Sequence, residues 1–242
     1  MRIKLVTWDL LHTLVLPRYP IAVSYQKAFQ PYLGLDLQAI KSSFPVALRQ
    51  LQQEKPLYGG DTTQWWSQVI KRTALGAGAP AESVDASLPQ IVDRLMHLFS
   101  SKEGYKAREQ SIQVLNALHD ELGVKIAVVS NADSRMFSVL KDLEFPASLS
   151  PIILSEAVGV EKPSREIFEL ALERVNAGRN EKVLPEECLH VGDELECDYN
   201  GARNAGMNAL LVKRVDKEDE MVADAETVED MQAVLRWVRA QA

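Results

Sequence analysis

No apolar run in the sequence reaches the roughly 18 residues that suggest a membrane-spanning helix; VKIAVVS and PIIL are of strand length. Cysteine is scarce, with only Cys188 and Cys197 in 242 residues, which excludes a disulfide framework. Basic charge is in deficit: 27 Lys and Arg stand against 34 Asp and Glu, for a net charge of −7. Such a surface has no general footprint for nucleic acid. Nothing near the start resembles a secretory signal, and Ile3 to Asp9 already reads as strand, so no signal or organelle presequence is expected. These absences lead to the expectation of a reduced cytosolic or nuclear protein without a membrane span. Neither a repeat nor a low-complexity segment is evident.

What is present is an ordinary globular composition, 46% hydrophobic and 25% charged. The length suffices for one large α/β domain, or for a core with a smaller module. From residue 107 onward, short apolar runs alternate with amphipathic stretches, the pattern of βαβ units and a mainly parallel sheet. SIQVLNALHDELG presents Ile112, Leu115, Leu118 and Leu122 at helical spacing and stops at Gly123. VKIAVVS, PIILS, CLHVGD and ALLV read as strands, and SREIFELALERVN as a helix. Ile3 to Asp9 is the strand expected to join them.

Residues 16–104 have a different texture. AVSYQKAFQPYLG, LQAIKSSFPVALRQLQQ, TTQWWSQVIKRTALG and SVDASLPQIVDRLMHLFS are all helix-like, with no convincing strand among them. This predicts a helical module, 16–104, inserted after the first strand of a core formed by 1–15 and 105–242, with Pro17, Pro20 and Gly104 near the junctions. The acidic stretch from Asp216 to Asp230 reads as loop. It leads into a last helix near VEDMQAVLRWVRA, with Val228, Met231, Leu235 and Val238 expected on the core.

In parallel sheets, ligands sit beyond the carboxyl ends of the strands. Four predicted strands lead into polar residues suited to a phosphoryl group. They are Asp9 with Thr13, then Ser130 with Asn131, then Lys162 in VGVEKPSREIF, and finally Asp193 with Asp198 in VGDELECD. Taken singly, each has a plainer explanation: a strand meeting a turn, turn formers, a solvated helix entry, a helix cap. Their order along the chain is what distinguishes them.

That order, with VVSN, GVEKPSREIFELAL and HVGDELECDYNGARNAGMNALLV around it, resembles the haloacid dehalogenase superfamily over almost the whole chain. The resemblance implies a Rossmann-like three-layer core with a helical cap of the first type. It implies that Asp9 is a nucleophile forming an aspartyl-phosphate, with Ser130 and the amide of Asn131 on the phosphoryl oxygens, Lys162 balancing charge and Thr13 supporting the loop. It further implies an Mg²⁺ site formed by Asp9, the backbone carbonyl of Leu11 and Asp193, with Asp198 as a direct or indirect ligand. The expected occupant is a small phosphorylated substrate or ligand; a protein partner is the alternative.

One departure stands out. Phosphatases of this superfamily carry a second acid two residues after the nucleophile, to protonate the leaving oxygen and activate water; TWDLLHTL has Leu11 there. General acid–base catalysis contributes about 10² to 10⁴ in rate. Its loss predicts slow turnover, a substrate with a good leaving group, a substitute acid at His12 or Glu194, or a pseudoenzyme that only binds. A dehalogenase also works without that acid, but both Asp193 and Asp198 are kept, and three acids packed without a cation repel one another. The metal-dependent phosphohydrolase is the preferred reading.

Other signals are weaker. Cys188, His190 and Cys197 lack zinc spacing and are expected in core packing. LGAGAP does not follow a strand and is no dinucleotide loop. Trp65 and Trp66 are expected in the core of the helical module, with substrate stacking the alternative. His97 and His119 are expected to be structural or exposed.

Overall fold

A computed structural model describes residues 2–214 and 225–241. It contains strands β1 (Leu5–Trp8), β2 (Val15–Pro17), β3 (Tyr105–Ala107), β4 (Lys125–Ser130), β5 (Leu149–Leu154), β6 (Cys188–Gly192), β7 (Asn208–Val212) and β8 (Thr227–Val228). Six of them form one sheet in the order β5-β4-β1-β6-β7-β8, and every pairing in it is parallel. The fold class is therefore α/β with a Rossmann-like parallel sheet and flanking helices. β2 and β3 form a separate two-stranded sheet.

Chain order explains where a ligand can sit. From β1 the chain continues to β4 and β5 on one side, then crosses to β6, β7 and β8 on the other. The connections diverge beside β1, which opens a crevice at the carboxyl ends of β4, β1 and β6. All four residues of β1 are buried, as expected of a central parallel strand covered on both faces.

The helices around the sheet follow from amphipathic spacing. α5 (Ser111–Asn116) continues through a π-helical turn, Ala117–Glu121, and the chain reverses at Gly123, whose φ of 65° suits glycine. The short α7 (Ser155–Val158) follows β5. α8 (Arg165–Asn176) starts at Ser164, whose hydroxyl accepts the Glu166 amide, and buries Ile167, Phe168, Ala171 and Val175 against Leu5, Val129 and Ile153. Each of the larger side chains, Ile167, Phe168 and Val175, contributes about 1.5–3 kcal/mol when fully removed from water. α9 is Gly201–Asn204, and α10 (Met231–Ala240) buries Met231, Leu235 and Val238. Val228 is also buried but belongs to β8. That corrects the reading of Asp216 to Asp230 as loop throughout: Thr227 and Val228 add a short edge strand, too brief to register as a pattern. Residues 216–224 of that stretch lie outside the described residues.

By contacts the chain divides into two compact units, 1–16 with 107–134 and 143–242, and 17–106 with 135–142. The second unit is helical: α1 (Ile21–Phe29), α2 (Leu37–Glu54), α3 (Thr62–Gly76) and α4 (Ala81–Leu98), together with α6 (Arg135–Asp142). Asp36 and Asp61 cap α2 and α3 by accepting backbone amides. Pro45 and Pro89 sit inside α2 and α4 on exposed positions, while Ile40, Ala47 and Leu51 of α2, and Ile91 and Leu95 of α4, are buried. Burial of the opposite face thus overrides the roughly 3 kcal/mol penalty of an interior proline. Leu51, Trp65 and Val69 form an apolar cluster in this unit, with Trp66 packed against it.

Candidate active site

The site is assembled from strand ends. Asp9 follows β1, its amide held by the Val191 carbonyl at 2.9 Å. Its Oδ1 accepts from Ser130 Oγ at the end of β4, at 2.9 Å, and from Lys162 Nζ, at 2.6 Å. Both donors use one oxygen; among the described residues none hydrogen-bonds Oδ2. Lys162 is only 3% exposed and also reaches Asp198 Oδ1 at 2.5 Å, so one ammonium bridges two carboxylates. Asn131 fixes the backbone that carries this lysine: its Oδ1 accepts the Lys162 amide at 2.7 Å and its Nδ2 donates to the Lys162 carbonyl at 2.9 Å.

Beyond β6 the turn from Gly192 carries the other two acids. Asp198 Oδ2 accepts the amides of Asp193 and Glu194, at 3.0 and 2.9 Å. Its Oδ1 accepts from Lys162 and lies 3.1 Å from His190 Nε2. Four donors occupy this carboxylate, which sits so close to Gly192 that a Cβ there would collide with it. Asp193 Oδ1 accepts from Thr13 Oγ1 at 3.3 Å, and its Oδ2 lies 3.2 Å from Arg214. Carboxylate oxygens of Asp9, Asp193 and Asp198 come within 4.8 Å of one another.

Electrostatics favour a cation there. Burial raises the Asp9 pKa, with Lys162 and Ser130 opposing the shift. Asp193 is pushed up to about 8, by burial first and then by the charges of Asp9 and Asp198, despite Arg214. Burial opposes ionisation of Asp198 too, but Lys162 and His190 hold it below the usual carboxylate range. The same two carboxylates, Asp198 and Asp9, outweigh burial and keep Lys162 protonated. Three acids thus face two cations, Lys162 and Arg214, in a set of hard oxygen donors. That donor chemistry fits Mg²⁺.

Asp9, Ser130, Asn131, Lys162, Asp193, Asp198 and Thr13 therefore come together in one place. The side chain of Leu11 is 36% exposed and contributes no carboxylate. His12 is half-buried with φ of 65°, and its carbonyl accepts from Arg108 Nη1 at 2.9 Å. Glu194 is exposed, 3.6 Å from Arg214. Sequence reading missed Arg214 and Arg108. Arg214 lies two residues beyond β7, so the strand-end rule applied to one more strand finds it; Arg108, buried and also bonded to the Lys213 carbonyl, leaves no such signal.

The zinc alternative has no geometry. Cys188 Sγ donates to the Leu184 carbonyl and His190 turns to Asp198; among the described residues only the three acids cluster as metal donors. Trp65 is a core residue, stacked edge-on with Tyr58 and Trp66 and donating to the Lys55 carbonyl. His97 and His119 are exposed. No helix among the described residues is long and apolar enough to cross a membrane.

Known proteins share this arrangement of elements. The chain superposes on the HAD-hydrolase YfnB from Bacillus subtilis bound to magnesium with a TM-score of 0.73, at 16% identity, covering 99% of this chain and 100% of that one. It superposes on L-2-haloacid dehalogenase from Xanthobacter autotrophicus with chloropropionic acid covalently bound at 0.67, with 19% identity, 99% and 100% covered. At those identities the likeness establishes the fold. In sequence, it is 33% identical over 230 residues to haloacid dehalogenase-like hydrolase domain-containing protein 3 of Mus musculus, spanning 93% of this chain and 88% of that protein. Residues 3–206 match the haloacid dehalogenase-like hydrolases as a family. A family match over residues 3–206 and 33% identity across 93% of the chain have one explanation: the chain belongs to the haloacid dehalogenase-like hydrolase family.

Proposed function

We propose that this hydrolase-family chain is a metal-dependent phosphohydrolase of low turnover, acting through an aspartyl-phosphate on Asp9. The observation that carries the reading is a buried lysine bridging Asp9 and Asp198, with a carboxylate oxygen of Asp193 within 4.8 Å of theirs. Lys162 and Ser130 pin Asp9 Oδ1. Oδ2 is then the oxygen that attacks phosphorus, forming the P–O bond as the leaving oxygen departs with its electron pair. Ser130 and the Asn131 amide would turn to the phosphoryl oxygens, and Lys162 offsets their charge. Asp9, Asp193 and the Leu11 carbonyl would hold Mg²⁺, which when bound neutralises charge between two anions. Asp198, with four donors on its two oxygens, supports this set from behind.

Leu11 has no proton to give and none to take. Glu194 lies 3.6 Å from Arg214, and the His12 backbone is held by Val15 and Arg108; this reading gives the acid's role to neither. Slow turnover follows, and a small substrate with a good leaving group, such as an acyl phosphate, suits the site best. The exposed Leu11 also favours a second reading, a pseudoenzyme whose pocket holds a phosphorylated ligand or protein partner. The expected location is cytosolic or nuclear. A dehalogenase is disfavoured because three neighbouring acids face only two cations, Lys162 and Arg214, and without a metal repel one another.

The deciding experiment is a Mg²⁺-dependent screen against aryl and acyl phosphates with the native chain, Asp9→Asn and Leu11→Asp. Leu11→Asp is expected to raise aryl phosphate turnover by about 10² to 10⁴, and Asp9→Asn to abolish it. Equal inertness of all three with tight phospholigand binding by the native chain would favour the pseudoenzyme. Turnover unaffected by Asp9→Asn would remove the nucleophile.

A further inference from the structure

We propose that His190 is a positioning residue for the acidic cluster, held by Thr7 in one tautomer so that it fixes Asp198 and, through Asp198, the turn bearing Asp193. The effect on metal binding rests on the metal-dependent reading above; the tautomer does not. Thr7 and His190 are directly paired residues on the neighbouring strands β1 and β6. His190 is fully buried, its ring edge-on to Phe168 at a centroid distance of 5.0 Å. Nε2 lies 3.1 Å from Asp198 Oδ1, and Nδ1 lies 2.9 Å from Thr7 Oγ1.

The donor inventory orders these bonds. An ionised carboxylate only accepts, so the proton between His190 and Asp198 belongs to Nε2. In a neutral ring Nδ1 then carries the lone pair, and the Thr7 hydroxyl donates to it in preference to the Leu189 carbonyl, which is farther at 3.4 Å. Thr7, His190, Asp198 and the amides of Asp193 and Glu194 form a continuous chain, buried from Thr7 to Asp198. Without the imidazole, Asp198 Oδ1 would be held by Lys162 alone, which Asp9 also engages. The carboxylate could then turn about its Cβ–Cγ bond, and the two amides that set Asp193 would lose a fixed acceptor.

Two measurements on the full chain test this. In ¹⁵N-histidine-labelled protein, with His190 assigned by its absence in His190→Gln, Nδ1 should be unprotonated and Nε2 protonated. Thr7→Val should move the Nδ1 resonance alone. A ring protonated at Nδ1, or at both nitrogens, overturns the proposal. By calorimetry, His190→Leu should bind Mg²⁺ about 10–100-fold more weakly, as for other residues that orient metal ligands. His190→Gln, whose amide can occupy the place of Nε2, should stay within a few-fold of native. Equal affinities in all three chains, or equal losses in both variants, overturn the positioning role. If His190→Leu does not fold, His190→Gln and Thr7→Val still decide it. Failure of the native chain to bind Mg²⁺ would instead overturn the metal-dependent reading and the affinity effect, leaving the hydrogen-bond chain to be judged by the tautomer.

Discussion

The two compact units bury different kinds of polar group. In the helical unit, the buried polar side chains among the described residues are Ser24, Thr73 and Ser87, all neutral. Thr73 and Ser87 return their hydroxyls to carbonyls one turn back in their own helices. The α/β unit buries Asp9, Arg108, Asp133, Lys162, His190 and Asp198. Burying a charge costs several kcal/mol even when it is paired, and an apolar replacement is often at least as stable. Stability alone therefore does not account for Asp9, Lys162 and Asp198 meeting in the α/β unit, whereas the helical unit is held by apolar packing and local hydrogen bonds.

The comparison can be broken by substitution. The largest effect on stability is expected for Lys162→Met, which leaves Asp9 and Asp198 without their shared cation. Breaking a buried pair this way costs about 3–5 kcal/mol, read from urea unfolding, with partial recovery in Mg²⁺. A loss no larger than that of an exposed residue would remove the distinction between the units.

Next comes pH. Asp193 is held at about 8 in the folded chain, against about 3.9 for an unperturbed aspartate. Between those values the native state binds the extra proton, so stability of the metal-free protein falls as pH rises from about 4 to 8. Saturating Mg²⁺ should flatten that slope, and Mg²⁺ binding at pH 7 should release protons, detectable by calorimetry in buffers of different ionisation enthalpy. Asp198, held low, acts in the opposite sense only below about pH 4.

The smallest effect belongs to the helical unit. Thr73→Val removes one hydroxyl bonded within its own helix and should cost no more than about 1 kcal/mol, without changing Mg²⁺ affinity. A change in that affinity would tie the helical unit's buried polar groups to the site.

Much of this was legible beforehand, for identifiable reasons. Strands β1, β4, β5, β6 and β7 are apolar runs bounded by turn residues, and α8 and α10 carry clear amphipathic spacing, so local pattern and burial coincide. β2, β3 and β8 have two or three residues each, too short for a period to show. Asp9, Ser130 and Asp193 were legible because a polar residue at the end of an apolar strand is conspicuous, and Lys162 because VGVEKPSREIF resembles a family segment. His190 has no such signal, since Thr7 reaches it only through the pairing of β1 with β6.

By itself, the sequence determined the alternation of strand and helix, the presence of acids at strand ends and the loss of a carboxylate at position 11, because these are properties of neighbouring residues. Tertiary structure alone decided that one lysine bridges Asp9 and Asp198, that Asp198 spends both oxygens on four donors, and that Arg214 meets Asp193. Lys162 lies 153 positions from Asp9 and 36 from Asp198, and Arg214 lies 21 from Asp193; such contacts depend on which strands become neighbours in the sheet, an arrangement set by the burial of the whole core.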